Sequence, residues 1–256
     1  MTSNDSEGTD FKQEVTAWAK SAGVTCHPHI IRLLATWHRN QSWYLLFPWA
    51  KGNLRDYWVK NDKPQHGHEQ ARWVGQQCLG LASALRQIHR AASNDDDQKI
   101  DSYGIHGDIK PENILWFQDE RSEHASLVIC DFGFTRFHSR RSRSAATAQG
   151  ISLTYRAPEY DVNERQQRGI SRVYDIWALG CVYLEFITWY LIGPEAVGGT
   201  FTDKRISQDR GEVMLTDKFF ICVPPEGPDS FGAMVKPCVP KVTRSFTLRH
   251  HHGTSC

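Results

Sequence analysis

The apolar stretch over residues 176–193, IWALGCVYLEFITWYLIG, restricts the fold of this chain more than any other feature. A run of this length must leave water, either by crossing a bilayer or by forming the centre of a folded core. Glu185 interrupts the run, and a carboxylate at the middle of a membrane span is costly. We therefore interpret the segment as part of a buried core helix over residues 171–191 and expect no transmembrane helix.

A second helix is predicted over residues 66–91, because its apolar side chains recur at alternating spacings of four and three. A shorter helix with the same periodicity is expected over residues 11–22. The apolar positions that define these two helices are Val74, Cys78, Leu81, Leu85 and Ile88 in the longer one and Phe11, Val15, Trp18 and Ala22 in the shorter one.

Short β-favouring runs accompany these helices. Residues 30–37 and 43–47 suggest two strands with a turn at residues 38–42, and residues 114–117 and 126–130 suggest two more. The Ser/Arg/Ala-rich stretch 136–150 has no periodicity and is expected to be mobile.

Composition narrows the classes of partner. Lys and Arg number 30 and Asp and Glu number 29, so bulk charge favours neither nucleic acid nor an anionic membrane surface as a partner. Seven scattered cysteines form no CxxC pair, which is typical of reduced thiols in an intracellular protein. Residues 1–10 are polar without an apolar run, so we expect a disordered leader rather than a secretory signal. A cytoplasmic or nuclear location is therefore expected.

The loop HGDIKPENIL, residues 106–115, carries three groups that can act at one point. The Asp108 carboxylate can accept or orient a hydroxyl proton. The Lys110 ammonium can offset the charge of a phosphoryl group in transfer. The Asn113 amide oxygen is a hard ligand suited to Mg²⁺.

A second hard oxygen ligand follows in the string CDFGF. Asp131 comes eighteen residues after Asn113, at the end of a short apolar run. Two metal ligands, a base and a cation are the parts of a site for phosphoryl transfer from a nucleotide.

Four motifs in register carry a family resemblance: HGDIKPEN, DFG, TYRAPE at residues 154–159 and DIWALGCVYLEF at residues 175–186. With these motifs the chain resembles the eukaryotic-type Ser/Thr protein kinase domain. The resemblance implies an α+β, kinase-like fold over residues 11–222. It has a reduced N-lobe (11–50, one helix and about two strands), a mostly helical C-lobe (51–222) and an irregular tail (223–256).

The resemblance also implies roles for the residues of the motifs. Asp108 would be the catalytic base, and Lys110 would steady the γ-phosphate of ATP. Asn113 and Asp131 would hold Mg²⁺. Ser152 would hydrogen-bond the base and the catalytic lysine. The implied cofactors are ATP and Mg²⁺, and the implied partners are protein substrates that present Ser or Thr.

Further positions follow from the same resemblance. Asp175 would hold the catalytic loop through its backbone amides. Glu14 would be the helix acid that pairs with an ATP-binding lysine. Leu46 would be the gatekeeper, and residues 47–49, with Phe47 and Trp49, would line the adenine pocket. The hydrophobic spine that joins the lobes would consist of Leu33, Trp18, Phe132 and His106.

The sequence departs from the family at three places. Ten residues precede Phe11, with neither a Gly-rich loop nor a strand lysine, so Glu14 lacks a partner and an N-terminally truncated domain is expected. Gly107 stands where many kinases carry Arg, so activity is expected not to need phosphorylation of the activation segment through that residue. No arginine is assignable as the partner of Glu159.

Two alternatives accompany the kinase interpretation. A pseudokinase-like binding module would keep the C-lobe without turnover, in agreement with the missing Gly-rich loop and lysine. A small-molecule phosphotransferase of the aminoglycoside-kinase type also uses an HGD loop followed by a metal-binding Asp. Lys110 and the TYRAPE and DIWALGC strings disfavour this second alternative.

Overall fold

The computed structural model describes residues 27–40, 42–62, 64, 66–90, 102–118, 124–132, 136–139, 152–164, 171–209, 215–223 and 232–241. The predicted helix 11–22, with Glu14 and Trp18, lies outside these residues. In chain order the elements are β1 (Ala35–Arg39), β2 (Ser42–Leu46), β3 (Gly52–Asn53), α1 (Leu54–Lys60), α2 (His68–Arg90), β4 (Ser102–Ile105), β5 (Ile114–Phe117), β6 (Ser126–Ile129), β7 (Arg136–Ser139), α3 (Pro158–Glu164), α4 (Arg172–Ile192), α5 (Thr202–Ser207), β8 (Phe220–Cys222) and β9 (Ala233–Val235).

Helix α4 forms the centre of the core, as the apolar run 176–193 predicts. It begins after Ser171, whose hydroxyl accepts a hydrogen bond from the Val173 amide, and it ends at Gly193, which has a φ of 107°. Among the described helices it alone is long and apolar enough to cross a membrane, and half of that stretch is buried inside the domain. Phe186 and Trp189 are fully buried. The interpretation of this segment as a core helix is confirmed.

Helix α2 packs along α4 and confirms the helix predicted at residues 66–91, with ends that differ by two residues and one residue. Its buried stripe includes Leu81, Leu85 and Ile88. Two of its polar side chains also form hydrogen bonds with strand β6 and with the residue that precedes this strand. Trp73 Nε1 donates to Ala125 O at 2.7 Å, and the Gln77 side chain accepts from the Leu127 amide at 2.9 Å. Helix α2 therefore fixes the strand that leads to Asp131.

Strand β5 lies between β3 and β6 in a three-stranded antiparallel sheet. The β5–β6 register pairs Ile114 with Ile129, both fully buried. The residues that flank this pair therefore meet at one end of the sheet. The predicted strand 114–117 is confirmed at both ends, and the strand predicted at 126–130 ends one residue early.

Strands β1 and β2 form an antiparallel hairpin, but the first strand predicted here, 30–37, is wrong at both ends. Ile30 and Ile31 leave the hairpin and are buried in the core. The Ile31 amide donates to Ile129 O at 2.8 Å, and the Ile129 amide donates to His29 O at 2.9 Å. The strand begins at Ala35, where this pairing has ended, and the turn contains Asn40 with a φ of 49°.

Two segments that lack a local pattern form strands through pairing with distant parts of the chain. Strand β7 pairs with β4, so residues 136–139 do not fit the expected mobile stretch. Strand β9 pairs with β8. Beyond it Cys238 and Val239 are buried, so residues 232–241 do not fit the expected irregular tail. In both cases the order depends on the partner strand, which a local pattern does not reveal.

Close packing at Gly80 gives a stability prediction. A Cβ atom at Gly80 would lie 2.1 Å from His29 Nε2. The His29 ring also has a hydrogen bond of 2.6 Å with Leu127 O, which opposes its displacement. We expect Gly80→Ala to lower the free energy of unfolding by about 1–3 kcal/mol, the usual cost of overpacking. Chemical denaturation measures this change.

The control for this prediction is in the same helix. A Cβ atom at Gly75 would meet nothing within 4 Å, so Gly75→Ala gains helix propensity without a clash. This control should raise the free energy of unfolding by about 0.5–1 kcal/mol. Equal effects of the two substitutions would show that the His29 contact does not limit residue 80.

Candidate active site

The loop that begins at His106 is anchored to the core helix by Asp175, which is fully buried. One carboxylate oxygen accepts from the His106 amide at 2.8 Å and has a second 2.8 Å hydrogen bond with His89 Nε2. The other oxygen accepts from the Gly107 amide at 2.8 Å. The predicted role of Asp175 is confirmed. Gly107 has a φ of 84°, a conformation that favours glycine.

His106 joins this loop to the segment that carries Asp131. Its Nδ1 accepts from the Asp108 amide at 3.3 Å, so Nε2 carries the proton and donates to Cys130 O at 3.0 Å. The His106 and Phe132 rings are 5.5 Å apart. This part of the predicted spine is confirmed. Leu33 is half-buried, and its place in the spine stays a prediction, whereas Trp18 lies outside the described residues.

Three of the predicted groups form a compact hydrogen-bonded cluster. Lys110 Nζ donates to Asp108 Oδ2 at 2.6 Å. Asn113 Nδ2 donates to the same oxygen and to Asp108 O, both at 2.8 Å. A 3₁₀ turn at Pro111–Asn113 reverses the loop and makes these contacts possible. Asp108 is 4% exposed, so its carboxylate is held in one orientation beside a cation.

Asn113 and Asp131 lie at the same end of the β5–β6 pair. The Cys130 amide donates to Asn113 O at 2.9 Å, which places the residue before Asp131 against Asn113. The Asp131 side chain is exposed, and its φ of 63° turns the backbone sharply after the strand. Burial, with the nearby Asp131 charge, raises the pKa of the Cys130 thiol to about 12. Cys130 is therefore a protonated core thiol.

The oxygens at this end of the sheet suit Mg²⁺. The Asn113 amide nitrogen binds Asp108, which leaves its oxygen for a cation, and Asp131 supplies a carboxylate. Mg²⁺ usually binds one or two protein oxygens together with substrate phosphates rather than a full protein cage. The described residues contain no cluster of three or more His, Cys, Asp or Glu that could hold a metal without such phosphates.

The remaining predicted site residues are not joined to this cluster. Ser152 is half-buried, and within the described part of the chain no hydrogen bond links it to Asp108 or Lys110. Leu46 is 44% exposed and Trp49 is 92% exposed, while Phe47 packs partly against the core. The adenine pocket predicted from these three residues stays a prediction.

Sequence reasoning missed a second polar cluster next to the loop. Arg55 of α1 donates to Glu112 at 2.6 Å and to the Tyr155 hydroxyl at 2.6 Å. The Tyr155 hydroxyl donates to Glu185 Oε2 at 2.6 Å. Burial, followed by the Glu185 charge, raises the pKa of Tyr155 well above its usual value, so this phenol remains a donor.

Arg205 completes the surroundings of Glu185. It is 1% exposed, and its Nη2 donates to Glu185 Oε1 at 3.0 Å. Its guanidinium carbon lies 4.4 Å from the Phe201 ring centre and 4.3 Å from that of Phe219. The lone Glu185 in an apolar run was the available signal for a buried cation, but its partner lies twenty residues away in a segment without a motif.

Within the described part of the chain, one oxygen of Glu159 has no partner, in agreement with the lack of an assignable arginine in the sequence. Glu159 Oε1 is buried and accepts no hydrogen bond among the described residues. Arg205, one of the arginines that could have been its partner, binds Glu185 instead. Burial raises the pKa of the Glu159 carboxyl above its usual value.

This raised pKa predicts a stabilising substitution. A carboxyl whose pKa is higher in the folded state favours folding while it is protonated, and that contribution is lost as the pH rises. We expect Glu159→Gln to raise the melting temperature at pH 7, with a gain that shrinks as the pH falls toward the carboxyl pKa. Thermal unfolding between pH 4 and pH 8 measures this dependence. A gain that grows at low pH would contradict it.

Known proteins are similar in sequence to this chain. A family model described as the protein kinase domain matches residues 2–236. Cyclin-dependent kinase E-1 of Arabidopsis thaliana is 27% identical over 168 residues, which are 63% of this chain and 32% of that protein. Cyclin-dependent kinase-like 4 of Homo sapiens is 29% identical over 170 residues, which are 66% of this chain and 38% of that protein.

The chain spans about a third of the length of these two relatives. The family match covers most of the chain and includes the loop with Asp108, the segment with Asp131 and the core helix α4. The α+β architecture and the anchoring of the loop by Asp175 agree with it. The chain therefore belongs to the eukaryotic-type protein kinase domain family.

Proposed function

We propose that this chain is a Ser/Thr protein kinase that transfers the γ-phosphate of ATP to Ser or Thr of protein substrates. The observation that carries the proposal is the bonded cluster of Asp108, Lys110 and Asn113, with Asp131 at the same end of the sheet. These are a base, a cation and two hard oxygen ligands in one place. Phosphoryl transfer needs this set because it depends mainly on positioning and charge stabilisation.

Each residue has a role in this proposal. Asp108 orients the substrate hydroxyl and accepts its proton, because its carboxylate is held by two donors. Lys110 lies 2.6 Å from this carboxylate and offsets charge on the phosphoryl group. Asn113 and Asp131 would hold Mg²⁺, which neutralises phosphate charge when it is bound. Lys110, two positions after Asp108, supports Ser/Thr rather than Tyr as the acceptor.

Many kinases carry an arginine just before the catalytic aspartate, and this arginine binds a phosphate on the activation segment. In this chain Gly107 occupies that position with a φ of 84°, so this mode of regulation does not fit. We propose that activity does not require phosphorylation of the activation segment by that route. The protein substrates are expected to be intracellular. The scattered cysteines support this location, since Cys78, Cys130 and Cys181 are unpaired thiols.

A second candidate is a binding module that holds the kinase fold without turnover. The exposure of Leu46 and Trp49 favours it, because both residues are expected in the adenine pocket. Ser152 favours it as well, since no hydrogen bond among the described residues joins it to Asp108 or Lys110.

Two measurements on the full chain separate the candidates. Mg²⁺·ATP is expected to raise the melting temperature by several degrees at saturation, because it binds the folded state only. Asp131→Asn should remove that rise, since it removes the charged metal ligand. Transfer of radiolabel from ATP to a generic Ser/Thr substrate would then establish a kinase. A thermal shift without transfer would establish the binding module, and the absence of both would refute the proposed use of ATP.

A further inference from the structure

A groove of about 490 Å³ runs between the C-terminal half of α2 and the N-terminal half of α4, apart from the cluster around Asp108. Leu85 and Leu179 form its buried floor, at 3% and 5% exposure. Ile176 is 58% exposed on its side, and Tyr183 lies at its end. The groove therefore presents a concave apolar surface to the outside of the domain.

Arginines surround this apolar surface. Arg86 and Arg90 extend from α2 and Arg172 extends from α4, and all three are exposed. No aspartate or glutamate lines the groove within the described part of the chain. Arg86 and Arg90 form no ion pair with any described residue. The groove thus combines an apolar floor with a cationic rim.

Gly180 makes the groove accessible to a helix. It is exposed, and a Cβ atom built there would meet nothing within 4 Å. Ile176, Gly180 and Tyr183 follow at spacings of four and three, so they share one face of α4. A helix that crosses this face can approach the α4 backbone closely at Gly180, because no side chain intervenes.

We propose that this groove docks an acidic amphipathic helix of a partner protein. The apolar face of such a helix would cover Leu85, Ile176 and Leu179, and its carboxylates would pair with Arg86 and Arg90. Apolar anchors at helical spacing in a groove between helices are a recurrent mode of peptide recognition. A nucleic acid would match the charge but leave the apolar floor wet, and a flat bilayer does not fill a concave surface.

The groove is also linked to the catalytic loop. His89 lies in its wall and has a 2.8 Å hydrogen bond with Asp175 Oδ2, the oxygen that also accepts from the His106 amide. A docked helix would therefore contact a side chain that helps to hold Asp175. Docking itself does not depend on turnover, so its test is independent of the proposed kinase activity.

The test uses a fluorescein-labelled synthetic peptide of about 16 residues, a length at which designed helices begin to form in water. It carries Leu at every third or fourth position and Glu at most others, and its binding to the full chain is followed by fluorescence anisotropy. We expect saturable binding that weakens as salt rises. Arg86→Glu combined with Arg90→Glu should weaken the affinity by at least about tenfold.

Gly180→Leu separates groove binding from charge attraction. A Cβ atom at this position meets nothing within 4 Å, and leucine adds bulk to the groove and helix propensity to α4. It should therefore weaken peptide binding by about tenfold, while the melting temperature stays equal or rises. Lys204→Glu is the matched charge control, because Lys204 is exposed on α5 and does not line the groove. This control should leave the affinity within about twofold of the parent chain.

Four results would overturn the proposal. The first is an absence of peptide binding, and the second is equal binding of a peptide with Lys in place of Glu. The third is an affinity that Gly180→Leu does not change. The fourth is displacement of the peptide by decanoate at equal concentration, which would identify an anionic lipid as the occupant. If the peptide binds only after Asp95, Asp96 and Asp97 are changed to Asn, the occupant is the chain's own acidic segment, and the partner assignment is wrong.

Discussion

Replacement of Asp108 by Asn is expected to lower the rate of phosphoryl transfer by about 10²–10⁴-fold, the usual contribution of a general base. The Asp108 carboxylate is buried, and Lys110 and Asn113 fix its orientation. Asn keeps the shape of the side chain but has neither the charge nor the basicity to accept a hydroxyl proton. The measurement is the turnover rate with radiolabelled ATP and a generic Ser/Thr substrate.

The control for this prediction is Asp203→Asn, since Asp203 is an exposed carboxylate on α5 that has no hydrogen bond with the described residues of the Asp108 cluster. It changes the net charge equally and should leave the rate unchanged. Both variants should unfold at about the melting temperature of the parent chain, which shows that the folds are intact. Equal rates for Asp108→Asn and the parent chain would exclude Asp108 as the base.

The site is positioned by polar contacts with the helical core rather than by local loop structure. Asp175 fixes the start of the loop that carries Asp108 through the amides of His106 and Gly107. Arg55 fixes its middle through Glu112 and connects it to Tyr155, which precedes α3. Both anchors depend on helix α4, which provides Asp175 and Glu185. Damage to α4 is therefore expected to disturb the site from a distance.

Residue spacing predicted those elements whose burial follows a simple periodicity. The ends of helices α2 and α4 and of strand β5 were predicted to within about two residues. In each of them the apolar residues recur along the element itself, so the sequence shows which residues are buried. The Asp108 cluster was predictable too, since Lys110 and Asn113 lie in the same short loop. Motif order indicated the loop anchor Asp175, and the structure confirms its hydrogen bonds.

Features that depend on distant pairing were not predictable from spacing. Strand β7 is ordered by β4, and strand β9 is ordered by β8, across separations that local patterns do not span. The shift of the first hairpin strand has the same origin, because Ile31 pairs with Ile129 instead. The partners of Glu185 were not predictable from the sequence for a different reason. Arg55 and Arg205 lie in segments whose sequences show no motif.

Arg205→Met is expected to lower the free energy of unfolding by about 3–5 kcal/mol, because it leaves Glu185 as a buried carboxylate without its main cation. Both side chains are 1% exposed, and their atoms are 3.0 Å apart. The loss is larger than a surface ion pair would cause, since both charged groups are buried away from solvent. Denaturant unfolding of the full chain at pH 7 measures it.

The pH dependence of Arg205→Met identifies the unpaired carboxylate as the cause. Burial already raises the pKa of Glu185, and Arg205 is the largest influence that opposes this rise. Without Arg205 the folded state favours protonated Glu185 more strongly. The stability of the variant should therefore be closest to that of the parent chain below about pH 4, where glutamate is ordinarily protonated. Its stability should fall as the pH rises.

The double variant is the control. Adding Glu185→Gln keeps an acceptor for Tyr155, removes the charge and should abolish this pH dependence. A deficit that stays constant with pH, or persists unchanged in the double variant, would show that lost packing between Phe201 and Phe219 causes the destabilisation instead.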